Sequence, residues 1–127
     1  MELRPKRVLL IDDSETTLRM VAAVLDRSGF EVRTSTNLDQ LTSTLGEWRP
    51  DLILTDVNMP GTSGSELCRQ LKATYETAHV PVVLFSSMAV DELATLARTC
   101  DADGFLSKAD LTNLPAELSL LIKTLEF

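Results

Sequence analysis

The chain has 127 residues, 44% hydrophobic and 24% charged, a balance that suits one globular domain with its own core and excludes a disordered or fibrous chain. Its formal net charge of −7 argues against DNA or RNA contact, since sequence-independent binding needs clustered Lys and Arg to displace counterions from phosphates. No apolar run approaches the roughly 20 residues that span a bilayer, the opening residues do not form a signal peptide, and Cys68 and Cys100 make neither a zinc site nor a disulfide framework; the expectation is a cytoplasmic protein with two small buried thiols.

In chain order, Val8-Leu9-Leu10-Ile11 is the continuous apolar run required of a strand buried on both faces, and Asp12-Asp13 follow at once. Ser14 is placed to cap a helix whose apolar positions Leu18, Val21, Ala22 and Leu25 recur at helical spacing until Gly29 stops it. Phe30 to Thr34 reads as a short alternating strand. Asn37 with Gln40 resembles a capping box that opens a second helix through Leu38, Leu41 and Leu45, with Trp48 near its end as a half-buried packing residue. Leu52 to Thr55 is a third strand, delivering Asp56 to a loop marked by Pro60, Gly61 and Gly64. Leu67, Cys68, Leu71 and Tyr75 outline a third helix; Val82 to Phe85 form a fourth strand that ends at Ser86-Ser87; Val90, Leu93, Ala94 and Ala97 mark a fourth helix. His79 falls in a surface loop with no partner positions nearby. Gly104 to Leu106 is a short fifth strand ending at Ser107-Lys108, and Leu114, Leu118, Leu121, Ile122 and Leu125 share one face of a fifth helix. Pro115 is tolerated in its first turn, where a backbone N–H would be unpaired anyway.

Strict alternation of five strands with five helices demands parallel pairing through right-handed crossovers: an α/β fold, a doubly wound five-stranded sheet with helices on both faces. In such open sheets ligands bind outside the carboxyl ends of the strands. Asp12 and Asp13 follow the first strand, Asp56 the third, Ser86 the fourth and Lys108 the fifth, so the topology brings all five to one edge. Three carboxylates repel one another unless a cation sits between them, and hard oxygen ligands suit Mg²⁺, with Mn²⁺ as an alternative. A carboxylate can attack phosphorus to give an aspartyl-phosphate, the metal and the Lys108 ammonium offsetting charge on the phosphoryl oxygens and Ser86 donating a hydrogen bond to them.

With these residues in view, the chain resembles the receiver domain of bacterial two-component response regulators, of the chemotaxis-regulator type, from Lys6 to about Leu125. The resemblance rests on Asp12-Asp13, the segment Asp56-Val57-Asn58-Met59-Pro60-Gly61 with Gly64 downstream, Ser86 and Lys108. It implies the flavodoxin-like strand order 2-1-3-4-5 and a single receiver domain over residues 1–127. It further implies that Asp56 takes a phosphoryl group from a histidine kinase or phosphotransfer protein. Asp13, Asp56 and the backbone carbonyl of Asn58 would then ligate Mg²⁺, with Asp12 acting through water. Lys108 would pair with the carboxylate and then the phosphoryl group. Ser86 would swing toward that group, and Phe105 would fill the space it leaves. The fourth helix, fifth strand and fifth helix would change their exposed surface for a downstream protein target or an attached effector domain. Homodimerisation through the same helices is compatible with the class, though no residue points to it. Two departures from the family pattern stand out. Ala109 follows Lys108 where Pro is common, and a cis peptide before Ala is far costlier than before Pro; Phe105 replaces the commoner Tyr and lacks its hydroxyl.

Three other readings compete. An aspartyl-phosphate phosphatase of the haloacid-dehalogenase-like class needs a second Asp two residues after the nucleophile, where Asn58 stands. A flavin-binding electron carrier of the same fold needs a phosphate cradle after the first strand, where Asp12-Asp13 would repel an anion. A receiver-like interaction module that works without phosphorylation has no need for all five site positions to be filled by suitable residues. The expected protein is therefore a signalling phosphoacceptor and not an enzyme.

Overall fold

The structure, a computed structural model, describes residues 5–36, 47–59, 62–73, 78–109 and 111–125. Five strands, β1 (Arg7–Ile11), β2 (Glu31–Ser35), β3 (Leu52–Asp56), β4 (Val82–Ser86) and β5 (Gly104–Ser107), form one parallel sheet in the order β2-β1-β3-β4-β5. The described helices are α1 (Glu15–Arg27), α2 (Gly64–Ala73), α3 (Val90–Thr99) and α4 (Leu114–Leu125). The expected second helix through Leu38, Leu41 and Leu45 lies outside the described residues, as do Pro60, Gly61 and Tyr75. The doubly wound fold and the 2-1-3-4-5 order are those expected.

The sheet separates two cores because side chains alternate across it with a period of two. Val8 and Leu10 of β1, Leu52 and Leu54 of β3, and Val83 and Phe85 of β4 pack with α1 and α4 through Leu18, Val21, Leu25, Leu114, Leu118 and Ile122. Leu9, Ile11, Ile53, Val82 and Leu84 face the other way, against Leu67, Cys68 and Leu71 of α2 and Leu93 and Ala97 of α3. Both faces are covered, which is why the strands read as unbroken apolar runs rather than alternating ones. Val90, placed with the apolar positions of its helix by spacing, is instead 57% exposed at the first turn.

Three strands run one residue past their apolar pattern. Asp56 pairs with Phe85 and Ser86 with Ser107, so Asp56, Ser86 and Ser107 are the last members of their strands and not the first of their loops. Backbone pairing depends on the neighbour and not on side-chain polarity, so hydropathy alone ends these strands early. Beyond Asp56, Asn58–Met59 and Thr62–Ser63 form a short antiparallel ladder within the segment read as a loop.

The helix ends follow their local chemistry. The Thr17 N–H donates to Ser14 Oγ (3.2 Å), the expected N-cap. At the other end of α1 the Phe30 N–H donates to the Leu25 carbonyl and the Gly29 N–H to the Asp26 carbonyl, both at 3.1 Å, with Gly29 at φ 95°. This is a Schellman motif with glycine in the left-handed position. α3 ends in the same pattern, Ala102 donating to Ala97 (2.9 Å) and Asp101 to Arg98 (3.4 Å), but the left-handed residue is Asp101, φ 60°. The two positions should answer substitution with opposite signs. Gly29→Ala is expected to cost about 1 kcal/mol, the left-handed penalty of a Cβ. Asp101→Gly should gain about 0.5 kcal/mol, because relief of that penalty is partly offset by the freedom of glycine in the unfolded chain. Urea midpoints of the two variants would check both.

The amino-terminal edge of the sheet is fastened by side chains. Asp51, just before β3, accepts the Arg7 N–H on Oδ2 and donates its own N–H to the Arg7 carbonyl, both at 2.8 Å. Asp103, just before β5, makes the same reciprocal pair with Val82, again at 2.8 Å, and is bridged by Lys72. Trp48 is buried more deeply than expected, at 4% exposure. Its Nε1 donates to Glu31 Oε1 (3.2 Å), and the guanidinium groups of Arg7 and Arg33 lie 5.5 and 5.2 Å from its ring centroid. The Trp48 hydrogen bond holds the exposed Glu31 carboxyl below its usual range, with the nearby arginines adding to the effect.

Cys68 and Cys100 are free and buried, as expected. Cys68 Sγ donates to the Cys100 carbonyl at 3.5 Å. Burial first, and the neighbouring Cys100 second, push its thiol up to about 12, so it stays protonated and unreactive at neutral pH. His79 is exposed.

Candidate phosphoacceptor site

The register explains how the site assembles. β1, β3, β4 and β5 are successive neighbours in the sheet, so the residues at or just past their carboxyl ends, Asp12, Asp56, Ser86 and Lys108, stand in a row. Asp13 sits beside Asp12. Asp12, Asp56 and Ser86 are 1%, 8% and 5% exposed, while Asp13 is open to solvent. One carboxylate oxygen from each of Asp12, Asp13 and Asp56 can be chosen so that all three lie within 4.8 Å of one another.

Lys108 binds this group together. Its Nζ donates to Asp12 Oδ2 at 2.8 Å and to Asp56 Oδ1 at 3.1 Å, spanning the first and third strands. Its own backbone N–H donates to the Ser86 carbonyl (2.9 Å), fixing the chain after β5 against β4. Burial by itself would lower the Lys108 pKa, but the Asp12 hydrogen bond and the charges of Asp56 and Asp12 outweigh it, and the net shift is upward. The ammonium is thus held charged in a site of surplus negative charge. The Lys108–Ala109 peptide is trans.

The remaining lone pairs are assigned by the backbone. Asp12 Oδ1 accepts from the Ser14 N–H (2.9 Å), so the turn that begins α1 also orients the first acid. Asp56 Oδ1 accepts from the Val57 N–H (2.8 Å) as well as from Lys108. Its Oδ2 has no protein hydrogen bond among the described residues, and none of their buried side-chain oxygens lacks a partner, so Oδ2 is the oxygen that meets solvent. Ser86 Oγ accepts from the Met88 N–H at 3.1 Å. Asn58 is exposed and opens the short ladder opposite Ser63. Phe105 is partly buried and packs on the α2–α3 core.

Two contributors were missed by sequence reasoning. Phe85 lies with its ring centroid 5.5 Å from Lys108 Nζ, a cation–π contact on the floor of the site. The signal was its place across from Asp56 in the ladder, which hydropathy does not reveal. The Val57 N–H was the other, and any residue after Asp56 could supply it.

Three carboxylates with no nitrogen or sulfur donor fit a hard divalent cation such as Mg²⁺. Asp13, exposed and without a protein partner in this cluster, leaves the set open to the outside.

A five-stranded parallel sheet with an acid cluster and a lysine at its carboxyl edge defines a receiver domain. The profile of the response regulator receiver domain matches residues 8–119, and the chain belongs to that family. It is 32% identical over 105 residues to the polar-differentiation response regulator DivK of Brucella anthropi, covering 82% of this chain and 85% of DivK. It is 31% identical over 103 residues to the phosphate regulon transcriptional regulatory protein PhoB of Pseudomonas aeruginosa, covering 81% of this chain but 45% of PhoB. The chain therefore spans less than half of that relative. Among solved structures, the chemotaxis response regulator CheY4 of Vibrio cholerae matches with a TM-score of 0.81 at 25% identity, covering 92% of this chain and 98% of that one. The chain is thus a receiver domain of the two-component signalling class, and no described helix is long and apolar enough to cross a membrane.

Proposed function

We propose that Asp56 accepts a phosphoryl group from a histidine kinase or phosphotransfer protein, and that residues 1–127 work as a single receiver domain. The observation that carries this reading is the Lys108 ammonium held between Asp12 Oδ2 and Asp56 Oδ1. It leaves Asp56 Oδ2 as the nucleophile. Oδ2 attacks phosphorus, the bond from phosphorus to the donor nitrogen breaks, and the leaving imidazole keeps the electron pair and takes up a proton. Oδ1 stays fixed by Val57 and Lys108 throughout, so the carboxylate does not rotate out of line.

Asp13, Asp56 and the Asn58 carbonyl would hold Mg²⁺ directly, with Asp12 acting through water. The ion supplies charge neutralisation for the phosphoryl oxygens, and Lys108 supplies the rest. Ser86 would donate to the phosphoryl group by releasing Met88. That transfer makes the two states differ in contact energy, the condition for a population shift. Phe105 would follow, changing the α3–β5–α4 surface read by a downstream protein or an attached effector domain. A cytoplasmic location, no nucleic-acid contact, and pairing of two copies through α3 and α4 belong to the same reading.

Intact mass after incubation with acetyl phosphate tests it. With Mg²⁺ the chain should gain one phosphoryl group; with EDTA in excess the gain should disappear. A gain that survives EDTA would sink the metal-dependent mechanism.

A further inference from the structure

Among the described residues, a groove lies outside the phosphoacceptor site. It runs along α3, has a volume of about 490 Å³, and is lined by Met88, Asp91, Glu92, Thr95, Leu96 and Thr99. At 100° per residue Asp91, Glu92, Thr95, Leu96 and Thr99 share one flank, Val90 and Ala94 occupy the other, and Arg98 borders Asp91. Its apolar members, Met88 and Leu96, are partly buried extensions of the core shared by α2 and α3. Asp91 and Glu92 are exposed at its edge, and neither carboxylate has an ion-pair partner among the described residues. The nearest cation on the helix, Arg98, is turned to Thr95, donating to its Oγ1 at 3.4 Å.

We propose that this groove docks a segment of a partner protein that offers an apolar side chain flanked by basic residues. Met88 and Leu96 give the apolar side chain a floor, while two unpaired carboxylates beside it select cationic neighbours and disfavour acidic ones, which the net charge of −7 already repels. The groove is also wired to the phosphoacceptor site, a point that rests on the function proposed above. Met88 is held by its N–H on Ser86 Oγ (3.1 Å). When that hydroxyl turns to a phosphoryl group, the end of the groove loses its anchor, so the two states bind the segment unequally. By linkage, the bound segment shifts the phosphorylated population by the same factor.

The probe is a fluorescein-labelled peptide in which a leucine pair is flanked on both sides by lysines, titrated into the full chain and followed by anisotropy and by amide chemical shifts. Shift changes should centre on residues 88–99. Asp91→Asn with Glu92→Gln should weaken binding about threefold to tenfold, the range for losing two exposed ion pairs. A peptide with serines for the leucines should bind at least as much more weakly. Val90→Ser, on the other flank, should leave affinity unchanged. Affinity that is insensitive to the Asp91 and Glu92 changes, or to loss of the leucines, would overturn the groove as the site. These titrations use the unphosphorylated chain and stand whether or not Asp56 is the acceptor. The coupling is read separately: in a sample shown by mass to be phosphorylated, equal affinity in both states would overturn it.

Discussion

Asp56→Asn is expected to abolish phosphoryl incorporation altogether, in mass and in any radiolabelled transfer from a kinase. The amide keeps the shape of the carboxylate, and its oxygen can still accept from the Val57 N–H and Lys108, so the site should remain folded. Two things are lost. The amide lacks the electron density to attack phosphorus, and the cluster drops from three carboxylates to two, which weakens its hold on a divalent cation. Asp12 is no substitute, because both of its oxygens are engaged, Oδ1 by the Ser14 N–H and Oδ2 by Lys108. Asp13 is exposed and lacks the fixed geometry of a strand terminus. Residual labelling of the variant would place the acceptor elsewhere.

Lys108→Ala should be the most destabilising change at the site. Asp12 is 1% exposed and Asp56 8%, and removing the ammonium leaves two buried carboxylates without a counter-charge. Breaking a buried pair in this way costs several kcal/mol. Because Lys108 sits at the mouth of the site, with its side chain 20% exposed, a loss of about 3 kcal/mol, the low end of that range, is expected. Millimolar Mg²⁺ should restore part of it by mass action, since the ion binds only the folded chain. Mg²⁺ affinity itself should not fall, because the competing cation is gone, whereas phosphoryl incorporation should slow. The pH dependence follows from the upward shift of the Lys108 pKa above its usual 10.5. A raised folded-state value means that the stabilisation is complete below the unfolded pKa and is lost as pH climbs through the folded one. Wild type should therefore lose its advantage over the alanine variant only in strongly alkaline solution, and denaturant midpoints across that range would show it. An advantage that vanished near neutrality would contradict the assignment.

Much of this was legible because the sheet is buried on both faces. The runs Val8 to Ile11, Leu52 to Leu54 and Val82 to Phe85 read as buried strands, and the parallel pairing that follows from alternation with helices brings Asp12, Asp56, Ser86 and Lys108 to one edge, while the strand order itself came from the resemblance to receiver domains. What escaped was set by the backbone or by distant neighbours. Strand ends at Asp56 and Ser86 depend on ladder pairing opposite Phe85 and Ser107, which hydropathy cannot register. The ladder from Asn58 to Ser63 has too few residues for a periodicity. Trp48 looked half-buried because its polar partners, Arg7, Glu31 and Arg33, come from two other strands. The choice between Asp56 Oδ1 and Oδ2 needs the Val57 N–H, a group every residue but proline carries.

The surroundings of Trp48 also decide what light can report about this protein. It is the sole tryptophan, held by Arg7 and Glu31 at the amino-terminal ends of β1 and β2 and by Arg33 in the middle of β2. None of these groups belongs to the carboxylate site, whereas unfolding strips away both guanidinium groups and the Glu31 carboxylate at once. Intrinsic emission is accordingly a clean optical readout of folding and a silent one for signalling, so the activated state calls for a label placed near Met88 or Phe105.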